Sequence, residues 1–368
     1  MKFSVIGAGS GGRAFAAYLS SKGHHVSLYN RSFSRIRHIQ RKGGVTASGE
    51  INGFYQIPVV TQDLKRALTD AKVIFIVIPA SAHKSIAKKM APFLEDGQII
   101  ILNPGRTFGS IEVKQIIQQG TGKSSVLVGE TQTLLFTSRA LKKNKVKILK
   151  IKNSVGFSTF PDKYVNQVYN VLKEIFPQWV PHSDYFEVSM NNIGMLLHPT
   201  ISLLNSGLID HGKEFNFYKK GATPRICRIL EEIELEINKI FEMFGLEGYR
   251  FCIWAEKTYG VNAMNIYEGL QKIKAYDTIT APKQLVTRYF TEDVSTGLVP
   301  FSSLGKYLGI RTPTIDSIIH LSSLICGIDF RKEGRTVEKL NIGDLVNRRI
   351  EPDVIMTSET FDMDIPFL

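Results

Sequence analysis

Two stretches of this chain hold side chains of the types that move protons. The first is NNIGMLLHPT, residues 191–200, where His198 can take up or release a proton near neutral pH. Asn191 lies seven residues earlier, which on a single helix puts it on the same face. Pro199 interrupts regular backbone hydrogen bonding just after the histidine and can expose its ring. A core histidine satisfied by a backbone carbonyl fits this stretch as well. The second is TRYFTEDVSTGLVP, residues 287–300, which gathers Arg288, Glu292 and Asp293 ahead of a Gly-Leu-Val-Pro turn. An ordinary helix N-terminus also carries acids in this way.

A third stretch binds rather than reacts. Residues 2–31, KFSVIGAGSGGRAFAAYLSSKGHHVSLYNR, open with an apolar run from Phe3 to Ile6. G-x-G-x-x-G follows, carried by Gly7, Gly9 and Gly12, with Ser10 and Gly11 between them. Phe15, Tyr18 and Leu19 recur at helical spacing, Gly23 closes the segment, and a second apolar run spans Val26 to Tyr29. Strand, tight turn, helix, strand is the first half of a dinucleotide-binding unit. Gly7 permits the sharp exit from the strand, Gly9 lets a pyrophosphate meet the backbone, and Gly12 lets the helix sit close on the sheet. The helix N-terminus offers free N–H groups and partial positive charge to the phosphates.

The rest of the chain must position these groups. Its 368 residues, 43% hydrophobic and 22% charged, suit two globular domains. An α/β alternation continues after Arg31: a basic helix over 32–42, a hairpin-like insertion with turns at Ser48-Gly49 and Asn52-Gly53, and a short helix over 63–69. A buried strand over 72–79, a helix over 81–94, a strand over 98–102, a helix over 110–119 and a strand over 125–129 come next. A strand over 155–160 and a helix over 162–176 complete the pattern. Ligands gather beyond strand ends in such sheets, which adds Pro79, Asn103, Gly105 and Glu130 to the expected cofactor contacts. Residues 142–152, KKNKVKILKIK, predict an edge strand with lysines facing water; a phosphate-binding strip is the other reading. From residue 183 only helical patterns occur. They include one long apolar helix over 184–205, another over 223–244, and segments near 249–259, 264–273, 300–309 and 314–327. The expected fold class is α/β: an N-terminal Rossmann-type dinucleotide-binding domain over 1–182, then an all-helical substrate domain over 183–345. An acidic and apolar tail fills 346–368.

The net charge is +12, and the last eighteen residues hold five acids and no base, so the remainder carries +17. The bases are spread without an aromatic-interleaved stripe. They read as a field that draws anionic substrates and a polyphosphate cofactor rather than nucleic acid. Three cysteines, Cys227, Cys252 and Cys326, lack CxxC spacing, which predicts neither a metal site nor a disulfide and fits a reducing, cytoplasmic setting. The longest apolar run, 73–80, is too short to span a bilayer, so no membrane association is expected.

The chain resembles the octopine/nopaline-type opine dehydrogenases, most closely the bacterial carboxyethyl-norvaline type, over nearly all of residues 1–345. The resemblance rests on Gly7–Leu19, IILNPG at 100–105, GETQTLLFTSR at 129–139, LLHPTISLLN at 196–205, TRYFTEDVSTGLVP at 287–300 and DFRKEGRTVEKL at 329–340. EDVSTGLVP is far more selective than the glycine fingerprint. The resemblance implies a helical domain like the C-terminal domain of 6-phosphogluconate dehydrogenase, a proton-relay pair of His198 and Asp293, and an Arg288 that acts at domain closure near the cofactor phosphates. It also implies reductive condensation of an L-amino acid with an α-keto acid such as pyruvate, giving a secondary amine dicarboxylate, in an enzyme that can form a homodimer. A neutral or apolar amine donor is expected, because no acid is singled out to hold a basic side chain. Two other functions share the sequence plan: a ketopantoate-like 2-keto acid or keto-phosphate reductase, and a non-catalytic nucleotide sensor.

The second strand sets the cofactor expectation. Folds that choose NAD usually place an acid about 20 residues past the fingerprint, where it bonds the ribose 2′-hydroxyl. Here Asn30, Arg31 and Ser32 fill that place, and His24 to Gly49 contain four arginines and no acid. NADP(H) is therefore expected to be preferred, with NAD(H) as the second cofactor. In the norvaline-type relatives an acid holds this position.

Overall fold

The computed structural model describes residues 1–121, 125–248 and 250–350; most of the acidic tail lies outside them. The strands are β1 (Lys2–Ile6), β2 (His25–Tyr29), β3 (Gly44–Gly49), β4 (Gly53–Gln56), β5 (Val59–Thr61), β6 (Val73–Ile76), β7 (Ile99–Leu102), β8 (Leu127–Thr131), β9 (Phe136–Ala140), β10 (Lys145–Ile151), β11 (Val155–Phe160) and β12 (Trp179–Pro181). The main sheet has the order β12-β11-β8-β7-β6-β1-β2-β5. Neighbours from β8 to β5 are parallel, whereas β11 runs antiparallel to β8. The chain leaves β1 toward β2 and returns to β6 on the other side of β1. That reversal opens a crevice beyond the C-terminal ends of β1 and β6.

Helices α1 (Ser10–Ser21), α2 (Phe33–Lys42), α3 (Leu64–Leu68), α4 (His83–Met90), α5 (Gly109–Thr121) and α6 (Val165–Leu172) accompany this sheet. They explain the unbroken apolar run of β6. Val73 and Phe75 pack with Phe15 of α1 and Val168 of α6, while Ile74 and Ile76 pack with Leu68, Ile86 and Ile117 of α3, α4 and α5. Phe75 lies 5.2 Å from Phe15 and 6.1 Å from Trp179 between ring centroids. Such pairs add about 0.5–1.5 kcal/mol each beyond area burial.

A second sheet, β4-β3-β10-β9, lies against α1. It corrects the expectation for 142–152: β10 is an inner strand between β3 and β9, not an edge. Lys145 and Lys147 do face water while Val146 and Ile148 are buried, as the alternation requires. The local pattern fixed the two faces but could not show that the distant 44–56 hairpin supplies a partner. Arg13 of α1 ties this sheet to the glycine loop. Its guanidinium donates to the carbonyls of Ala8, Arg35, Leu141, Lys143 and Lys145 at 3.0–3.3 Å.

The second half is helical: α7 (Tyr185–Met190), α8 (Ile193–Leu204), α9 (Ser206–Asp210), α10 (Pro224–Met243), α11 (Phe251–Tyr259), α12 (Ile266–Lys272), α13 (Arg288–Thr291), α14 (Val299–Tyr307), α15 (Pro313–Cys326), α16 (Phe330–Glu333) and α17 (Gly343–Arg349). Thr223 caps α10 ahead of Pro224, and buried Glu236 of α10 caps α15 by accepting from the N–H groups of Thr314 and Ile315. Two expectations change here. The single helix over 184–205 is broken at Asn191-Asn192, so Asn191 and His198 do not share a helix face. The helical part also extends past Leu345, since α17 buries Val346 and Arg349 pairs with Asp184 at 2.6 Å. Among the described residues, no helix is long and apolar enough to cross a membrane.

Candidate active site

The wide winding of one turn positions the acidic run. Between α13 and α14, Val294–Leu298 forms a π-helical turn in which the Leu298 N–H donates to the carbonyl of Asp293. Such turns often re-aim side chains at functional sites. Gly297 lets this turn press onto α8: a Cβ there would meet the Met195 Cβ at 2.4 Å. His198 lies one helical turn beyond Met195, so the contact brings α8 and the acidic run within reach of each other.

His198 and Asp293 meet as the resemblance implied. The His198 Nδ1–H donates to Asp293 Oδ2 at 2.7 Å, and Nε2 accepts from the Tyr218 hydroxyl at 2.8 Å. This tautomer follows from the partners, since the carboxylate at Nδ1 can only accept. The Tyr289 ring stacks on the imidazole at 4.3 Å between centroids. Asp293 is 1% exposed. Burial alone would raise its pKa, but Arg106 and His198 outweigh that and hold it below the usual carboxylate range. Burial, helped by the neighbouring tyrosines Tyr289 and Tyr259, pushes the Tyr218 phenol well above its ordinary value, so it stays a hydrogen-bond donor.

Arg106 is one of the residues that sequence reasoning missed. It follows the Asn103-Pro104-Gly105 turn after β7 and reaches across to the helical half. Nε donates to Glu292 Oε1 at 3.3 Å, Nη1 donates to Asn192 Oδ1 at 2.9 Å, and Nη2 lies 3.3 Å from Asp293 Oδ1. Glu292 also accepts from the Ala80 N–H, just past β6, at 3.1 Å. The break between α7 and α8 is what frees Asn192 for this contact. Tyr218 was missed as well, because it lies between α9 and α10 in a segment without periodicity.

The expected cofactor contacts divide into two groups. Gly7 has φ of +115°, and a Cβ on it would strike the Val77 carbonyl oxygen at 2.4 Å. Gly12 packs against the Gly7 carbonyl, and Gly11 lies beside Val77 and Leu134. A Cβ at Gly9 would enter open space, with nothing within 4 Å. That opening, at the N-terminus of α1, fits a dinucleotide pyrophosphate. Asn30 pins the loop by accepting from the Ala8 N–H at 3.0 Å, and Ser10 accepts from the Ala140 N–H at 2.9 Å. Arg31, Ser32 and Pro79 are exposed at the crevice rim. Asn103, Gly105 and Glu130 are tied into the scaffold. Asn103 is buried and accepts from the Thr131 hydroxyl at 3.1 Å; Gly105 abuts Glu130. The buried Glu130 carboxylate caps α5 by accepting from the Ser110 N–H at 2.6 Å, and it also accepts from the Tyr185 hydroxyl at 3.2 Å. The free N–H groups at the start of α5 are what draw it inward. Arg288 is exposed in the first turn of α13.

Residues 181–326 match the family described as NAD/NADP octopine/nopaline dehydrogenase, alpha-helical domain, and residues 2–131 match the NAD-dependent glycerol-3-phosphate dehydrogenase N-terminus. The chain is 38% identical to an opine dehydrogenase of Arthrobacter sp. (strain 1C), over 93% of this chain and 96% of that one. An octopine dehydrogenase solved with NADH and agmatine shares the fold at TM-score 0.75 and 19% identity, over 93% of this chain and 96% of that one. A yersinopine dehydrogenase with NADP+ bound does so at TM-score 0.70 and 14% identity, over 96% and 94%. With an α/β dinucleotide fold, an all-helical second half and this relative at 38% identity, the chain belongs to the octopine/nopaline-type opine dehydrogenase family of NAD(P)-dependent oxidoreductases.

Proposed function

We propose that the chain condenses the amine of a neutral or apolar L-amino acid with an α-keto acid such as pyruvate and reduces the resulting imine. The observation that carries this reading is His198 held between Asp293 and Tyr218 where the two domains meet. With Nδ1–H committed to the carboxylate, Nε2 is the atom that exchanges protons. It takes one from the ammonium group, which frees the amine to attack the keto carbon. The imidazolium so formed faces the ionised Asp293, which lowers its cost. Nε2 then returns the proton to the carbinolamine oxygen, which leaves as water. The bound nicotinamide supplies the hydride that reduces the imine. Tyr289, Tyr218, Tyr276, Tyr259 and Trp254 form a continuous run of rings leading away from His198, each within 6 Å of the next except the Tyr289–Tyr218 step, which passes through His198 and Phe217. Tyr218, Tyr276 and Trp254 are buried in the helical core, and an apolar amine donor suits such surroundings beside His198. Arg288 is assigned to domain closure near the cofactor phosphates. Nucleotide oxidation should require both pyruvate and an amino acid. Oxidation with keto acid alone would point to a simple keto reductase, and arginine or lysine as the best donor by a wide margin would overturn the specificity.

The cofactor is proposed to be NADP(H) in preference to NAD(H), held by the backbone at Gly7, Gly9, Ser10, Gly11 and Gly12 and by Asn30, Arg31, Ser32 and Pro79. Asn30 Oδ1 and Nδ2 each make one bond within the loop, and the Arg31 and Ser32 side chains are exposed at the end of β2. On α2, which follows, burial and then Arg37, Arg41, Lys143 and Arg13 lower the pKa of His38. A charge-assisted contact to the 2′-phosphate is worth roughly 1.5–3 kcal/mol, hence roughly 10- to 150-fold in kcat/KM between the cofactors. Arg31→Ala should erase most of that ratio by lowering the NADPH value alone. Equal values in the wild type, or an equal loss for both cofactors in the variant, would show that Arg31 does not read the phosphate.

A further inference from the structure

Lys152 has no role in the chemistry above, yet it is 6% exposed and has no carboxylate partner among the described residues. It follows the end of β10, and its backbone N–H donates to the Leu135 carbonyl at 3.0 Å. Its ammonium donates to the Thr133 hydroxyl at 2.7 Å and lies 6.0 Å from the centre of the Trp254 ring, which α11 brings from the helical half. The Trp254 Nε1–H is buried with no hydrogen-bond partner. A lysine without an acid partner and the ring that carries an unused N–H donor therefore lie 6.0 Å apart where the domains meet, at the far end of the run of rings that starts at His198. Burial, reinforced by the positive charge of Arg106, draws the Lys152 pKa down to about 7. Isolated buried cations are expensive unless an anion answers them, and both substrates of the proposed reaction carry a carboxylate.

We propose that Lys152 seats a substrate carboxylate where the two domains meet. This rests on the two-substrate reading above and names a group that it requires. The keto acid and the amine donor offer the same chemistry here, and the experiment separates them. Protein loaded with NADP+ is titrated calorimetrically with pyruvate and, separately, with a neutral amino acid such as L-leucine, so that no turnover occurs. Lys152→Met should weaken binding of one of the two by roughly 10- to 100-fold and leave nucleotide affinity unchanged. The compound affected is the one whose carboxylate Lys152 holds. In the wild type, the amide of that compound, with a neutral carboxamide in place of the carboxylate, should bind more weakly by a similar factor, and the difference should vanish in Lys152→Met. A wild type that binds acid and amide alike overturns the proposal, and this comparison stands even where the variant does not fold. So does a Lys152→Met protein that binds both acids as the wild type does. Carboxylate binding that depends on Lys152, in a protein that turns over no pair of keto acid and amine, would instead remove the condensation reading and leave the site.

Discussion

His198→Ala is expected to lower kcat by roughly 10²–10⁴-fold, the usual worth of a positioned acid–base. Nucleotide affinity should stay at its wild-type value, because the glycine loop and the end of β2 are built from a different part of the chain. The size of the effect follows from how fully the imidazole is committed. Asp293 fixes one ring nitrogen at 2.7 Å, Tyr218 marks the other at 2.8 Å, and Tyr289 holds the plane. With Nδ1–H held by the carboxylate, Nε2 is the ring nitrogen that exchanges protons, and alanine leaves nothing in its place. Steady-state kinetics with saturating keto acid and amine, alongside a nucleotide titration, checks both halves. A variant within a few-fold of wild-type kcat would mean that the proton travels through another group, with Tyr218 the nearest. A variant that loses nucleotide binding in parallel would mean that His198 supports the fold rather than the reaction.

What the sequence revealed, and what it hid, follows from the range of each interaction. The dinucleotide half was legible because every signal is local: a strand, glycines at fixed offsets, an amphipathic helix. The pairing of His198 with Asp293 spans 95 positions. The residues alone left each of them open, and only the likeness of the EDVSTGLVP run to a known family joined them. Asn192 was hidden inside an apolar run that reads as one helix, because hydrophobic periodicity does not register a two-residue break. Glu130 was placed near the cofactor since it ends a strand at the right edge, but the unmet N–H groups of α5 turn its carboxylate inward. β10 shows the same limit, with its faces written in the alternation and its neighbours supplied from a hundred residues away.

Arg106 is the residue whose loss should damage both stability and rate. One guanidinium in the first domain meets two buried carboxylates and an amide from the second, so it joins the halves at the point where the proton moves. Its own burial opposes the charge, yet Asp293 and then Glu292 raise its pKa. Arg106→Met would leave Asp293 and Glu292 buried without their cation. Removing one partner from a buried ion pair costs about 3–5 kcal/mol, which urea unfolding of the two proteins should show. The pH dependence gives the sign. Asp293 is held below the ordinary carboxylate value in the wild type, so its contribution is present above about 3.9, the unfolded value, and fades only as pH falls through the lower folded one. Without Arg106 the buried Asp293 gains a proton more readily, so the stability deficit should open as pH rises above that range and close again in acid. A protonated Asp293 no longer fixes the Nδ1–H tautomer, so kcat should fall and recover partly as pH is raised. Arg106→Lys keeps a charge but cannot reach three partners with one planar fork, and it should restore part of the stability and less of the rate. An Arg106→Met protein with wild-type stability and an unchanged pH–rate profile would show that the cluster neither holds the domains together nor orients His198.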